Sequence, residues 1–79
     1  MVTVHRAFGF RFVIFTNDHE PPHVHLFGQG GEAKIDLLDD GTGVVAWVNG
    51  IARSDLRRLL AEVHHRHAAL LNAWRETHG

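Results

Sequence analysis

The chain has 79 residues, eight histidines, no cysteine and a formal net charge of −1 with histidine neutral. A single domain of this length buries only about 60% of the surface its unfolded chain exposes, so its core is thin and self-association or a partner is expected. The lack of cysteine excludes disulfides, zinc ribbons and thiol chemistry, and leaves histidine and carboxylate as the ligands for any metal.

No stretch approaches the roughly 18 apolar residues of a membrane span, and the N-terminal "MVTVHRAFGF" lacks a cleavable leader pattern, so a soluble protein of the reducing cytoplasm is expected. Residues 1–40 carry three basic and six acidic side chains, and residues 41–79 carry five and three. That split is not the concentrated basic excess of a nucleic-acid binder. Histidine, with an ordinary pKa near 6.5, makes the charge depend on pH.

In chain order, "AFGFRFVIFTND" sets Phe8, Phe10, Phe12 and Ile14 at period two, with Val13 and Phe15 on the other side, which predicts a first strand apolar on both faces. "NDHEPPH" ends it, because Asn17 and Asp18 suit a turn and Pro21 and Pro22 have no N–H for a ladder. "HVHLF" and "EAKIDLL" flank "GQGG" as a hairpin, "DDGTG" is a further tight turn, and "VVAWV" is a fourth strand. From Ser54, a predicted N-cap followed by Asp55, the residues Leu56, Leu59, Leu60, Val63, Leu70, Leu71 and Trp74 recur at helical spacing. They predict one amphipathic helix of about five turns ending near Gly79, with His67 half-buried in its stripe. The expected fold is α+β: a four-stranded antiparallel sheet, ββββα, with one C-terminal helix on one face.

One helix leaves the other sheet face open. Pairing Phe27 with Glu32 across "GQGG" sets His25 opposite Lys34 and His23 opposite Asp36, and turns both histidines away from the helix. A turn at Asp40–Gly41 then sets Asp36 against Val45 and Lys34 against Trp47. The predicted partner-binding surface is Arg11, Phe15, Phe27, Lys34 and Trp47 around the histidines. A single slip in register would instead put Trp47 under the helix.

Three chemistries fit the histidines of "NDHEPPHVHLFG". His23 and His25, about 6.6 Å apart on one strand face, could hold zinc with His19 from the loop, Asp36 joining them as a supporting carboxylate. The spacing differs from the cupin pattern, since Glu32 stands seven residues beyond His25. Without metal, His23 and His25 could act as catalytic acid and base on a phosphodiester held by Arg11 or Lys34, as in a small ribonuclease. In the third reading they are the polar edge of a hairpin, His23 pairing with Asp36. On the helix, Arg57, Arg58, Arg66 and Arg75 with His64 and His65 form a mildly basic surface interrupted by Glu62 and Glu76, a weak nucleic-acid candidate that reads first as a solvated face.

These residues also carry a resemblance. The run Asn17-Asp18-His19-x-Pro21-Pro22-His23-x-His25, the strand Ala33-x-Ile35-Asp36 and a helix closing on Trp74 resemble the small bacterial domain-of-unknown-function family DUF4160, from Phe8 to Trp74. The resemblance implies one half of a two-gene module, with a DUF2442-type partner and a toxin–antitoxin or regulatory role. Many relatives have a "TGEV" turn where this chain has "DDGTGVV". The leading expectation is an interaction module that binds itself or a small partner protein through the open sheet face; the alternative is a histidine-dependent zinc or phosphodiesterase site acting as a toxin or effector.

Overall fold

The computed structural model describes residues 1–78. Five strands, β1 (Val2–Ala7), β2 (Phe10–Ile14), β3 (His23–Gly28), β4 (Gly31–Leu37) and β5 (Gly43–Asn49), form one antiparallel sheet in chain order. Helices α1 (Arg53–His65) and α2 (His67–His78) follow. The α+β class is as expected, but the sheet has five strands rather than four and the helix is two.

The additional strand comes from a turn inside the predicted first strand. Phe8 and Gly9 both have positive φ, 56° and 79°, and close a two-residue hairpin that separates β1 from β2. Phenylalanine is a poor signal for left-handed backbone, which is why the turn is hard to read; here the Arg58 guanidinium lies 5.3 Å from the centre of its ring. The "GQGG" hairpin uses the same device, with Gln29 at φ 51° and Gly30 at φ 77°. At the β4–β5 turn the Leu38 N–H donates to the Thr42 carbonyl, and the Asp40 carboxylate accepts from both the Thr42 N–H and its hydroxyl.

The expected long helix breaks at Arg66, whose φ of −101° and ψ of 13° leave the helical region. Val63, His67, Leu70 and Trp74 keep four- and three-residue spacing across the break, so the apolar stripe conceals it. Ser54 lies inside α1; Ala52 is the N-cap and gives no side-chain hydrogen bond.

The helices pack mainly on one sheet face, and Trp74 of α2 also reaches His23 at the start of β3 on the other. Phe10, Phe12, Val24, Leu26, Ala33, Ile35 and Leu37 form the core with Leu59, Val63 and Leu70. Gly43 allows α1 to approach β5, since a Cβ there would come within 2.7 Å of Val63 and 3.0 Å of Ile35. His5 of β1 ties the opposite edge of the sheet to α1 through a 2.6 Å contact with Glu62.

Candidate functional site

The other face is ordered by the strand register. One row across it runs Val13, His25, Lys34 and Trp47, and the next runs Arg11, Phe27, Glu32 and Asn49. His23 is paired with Asp36, which faces Val44 rather than Val45, because Ala46 is an extra residue that bulges β5 between the Lys34–Trp47 and Ile35–Val45 pairs. Trp47 therefore lies on the outer face, exposed, with Val44 exposed beside it. The Phe15 ring meets His25 edge-on at 4.7 Å, Phe27 stacks on His25 at 6.1 Å, and the Arg11 guanidinium lies 5.9 Å from the Phe27 ring centre.

The loop after β2 carries Asp18 back over β3. Its Oδ2 stands 2.8 Å from His23 Nε2 and 3.3 Å from His25 Nε2. The other nitrogen of His23, Nδ1, donates to the Pro21 carbonyl at 2.8 Å, so the double-proline loop fixes the ring from its far side. His23 is buried, covered by Trp74 of α2 at a ring separation of 4.8 Å, and Trp74 in turn stacks on His78 at 3.7 Å. Burial pushes the His25 imidazole below its ordinary 6.5, against the opposing pull of Asp18. Its Nδ1 is buried without a hydrogen-bond partner, 4.0 Å from a Glu32 carboxylate oxygen.

A family model described as a domain of unknown function, DUF4160, matches residues 9–75. The chain belongs to the DUF4160 family. No curated protein and no solved structure matches it.

In this DUF4160 chain, His23 and His25 share a face as their i, i+2 spacing requires, and Asp18 joins them, the three offering ligand atoms within 4.8 Å of one another. His19 is exposed in the loop and stands outside that group. Asp36 keeps its expected place opposite His23 but is also outside the group, and its Oδ1 is buried without a partner. The carboxylate on His23 is thus Asp18 rather than Asp36. By residue type Asp18 suits a turn; the signal for its role at the site is an aspartate five and seven residues before two strand histidines, with a rigid proline pair between them. Arg11, Phe15, Phe27 and Lys34 are half-buried on the outer face, which leaves Trp47 as the accessible aromatic among the predicted contact residues.

Proposed function

We propose that this DUF4160 domain is a small interaction module that pairs with a second copy of itself through β5 and the outer face beside it, as one component of a toxin–antitoxin-like or regulatory two-gene module in the bacterial cytoplasm. The observation that supports this reading is the character of β5. It is an edge strand, it carries no charged side chain over Gly43–Asn49, and Val44, Trp47 and Val48 are all exposed on it. Natural sheets protect free edges with charges, prolines or bulges, because unpaired backbone N–H and C=O groups invite another strand. β1, the other edge, has a bulge at Val4 together with His5 and Arg6, whereas β5 has only the bulge at Ala46.

Two copies of β5 paired antiparallel about Ala46 would set Gly43 against Asn49 and direct the acidic Asp39–Asp40 turn toward the end where α1 begins with Arg53. Such a pairing extends the sheet across a two-fold axis and takes Trp47 out of water. No described helix is long and apolar enough to cross a membrane.

Sedimentation equilibrium tests the reading. The expected result is a dimer at micromolar concentration that the double variant Val44→Lys, Trp47→Lys weakens by about a hundredfold or more, with an unchanged far-UV spectrum. A wild-type chain that stays monomeric through high micromolar concentration overturns self-pairing, and a small neighbouring gene product tested against the same variants then becomes the occupant to examine.

The histidine-dependent alternative has a separate observation behind it, the convergence of Asp18, His23 and His25. Its metal-free form is disfavoured by the placement of His23, whose two nitrogens are engaged by Pro21 and Asp18 and leave no atom free to exchange a proton with a substrate.

A further inference from the structure

We infer that Asp18, His23 and His25 form a centre for a divalent transition-metal ion of the zinc class, with at least one coordination position left open. A backbone carbonyl can only accept, so the 2.8 Å contact between His23 Nδ1 and the Pro21 oxygen places the ring proton on Nδ1. A neutral His23 then turns the bare lone pair of Nε2 toward Asp18 Oδ2, an acceptor 2.8 Å away. Two lone pairs approach that closely only with a positive centre between or beside them, either a proton on Nε2, which makes His23 an imidazolium, or a metal ion.

The same oxygen is 3.3 Å from the Nε2 of His25, so two imidazoles converge on one carboxylate oxygen. Ligands at about 2.0–2.1 Å from a tetrahedral ion lie roughly 3.3 Å from one another, which the Asp18–His25 distance already matches and the Asp18–His23 distance reaches by a small swing of the carboxylate. The surroundings fit as well. Metal-binding histidines commonly donate their second N–H to a backbone carbonyl or a carboxylate, fixing tautomer and ring orientation, and Pro21 does this for His23.

Two imidazoles and one carboxylate are a borderline donor set suited to zinc, iron, cobalt or manganese rather than calcium or magnesium. Asp18 retains partial solvent access, with a quarter of its side chain exposed, while His23 is sealed beneath Trp74. An ion entering from the Asp18 side would therefore meet water on its free position. On the same face, the orphaned Asp36 Oδ1 is an additional buried acceptor. The inference is independent of β5 pairing: a monomer can hold this ion, and a dimer can lack it.

The test uses the full chain purified without a histidine tag. Zinc is titrated by calorimetry and cobalt by visible absorption, with Asp18→Asn, His25→Ala and, as a control for adventitious histidine binding, His65→Ala on the exposed side of α1. The expected result is one ion per chain, intense cobalt bands of a low-coordinate N/O site, affinity weakened at least about a hundredfold by Asp18→Asn and His25→Ala, and affinity within about twofold of wild type for His65→Ala. If either site variant fails to fold, X-ray absorption of the wild-type zinc complex decides, and a shell lacking two imidazoles overturns the inference. Absence of stoichiometric binding, or equal weakening by His65→Ala, also overturns it and leaves the cluster as an imidazolium–carboxylate pair.

Discussion

Gly31 opens β4 beside the connection from β5 to α1, and replacing it with alanine tests how tightly that junction is built. A Cβ at residue 31 would collide with the Gly50 carbonyl oxygen and would lie 2.8 Å from the Gly50 carbonyl carbon and 2.7 Å from Ile51 Cγ1. Two of these obstacles are backbone atoms, which cannot rotate aside, so the β5–α1 connection has to move. Overpacking of a core costs about 1–3 kcal/mol, and the backbone obstruction argues for the upper end, about 3 kcal/mol. For a domain of this size, total stability is on the order of 4–12 kcal/mol and each kcal/mol shifts Tm by roughly 4–8 °C. Gly30→Ala is the contrast: nothing lies within 4 Å of the added atom, but φ is +77°, so the cost is left-handed strain of about 1 kcal/mol. Urea unfolding of both variants measures the difference. If Gly31→Ala loses no more stability than Gly30→Ala, the close approach of Gly50 does not constrain the fold and the reasoning fails.

Leu26→Ala removes a fully buried side chain from the centre of the sheet and should cost about 2–5 kcal/mol, with an unchanged m-value in urea. The His5 hydrogen bond holds the Glu62 carboxyl below its ordinary 4.5, so this contact stabilises the fold above that pH and the contribution is lost as pH falls through the lowered value. His5→Ala should accordingly flatten the loss of stability measured between pH 5 and pH 3; an identical acid limb in the variant would refute the link. If zinc binds as inferred, chelator should lower the unfolding free energy by about 2.7 kcal/mol from its value at a hundred times the dissociation constant, and His25→Ala should show no chelator effect in thermal melts.

The parts of the fold legible in the sequence are those where side-chain period decides the answer. β3 and β4 alternate apolar and polar residues against a clear turn, and the pairs His23–Asp36, His25–Lys34 and Phe27–Glu32 follow. Trp47 reaches the outer face as expected, although the bulge at Ala46 shifts the neighbouring Asp36 by one residue, and a bulge in an edge strand leaves no trace in "GVVAWVN". β1 was hidden because its turn is Phe8–Gly9, where the left-handed residue is an aromatic. The break at Arg66 was hidden because no glycine or proline marks it and the stripe continues through it. Asp18 was hidden for another reason: a loop side chain has no period, and its direction is set by the backbone path through Pro21 and Pro22.

The meander order of the sheet has a kinetic consequence. Every strand pairs only with its neighbours in the chain, so each hairpin can close over a short loop before the next one exists, and no distant segments need to find one another to start the sheet. The residues that cover its apolar face, Leu59, Val63 and Leu70, all lie in the helices that follow it. During synthesis the hairpins therefore emerge first with one oily side uncovered, and this interval before α1 and α2 arrive is when the nascent chain is most open to aggregation or to capture by chaperones.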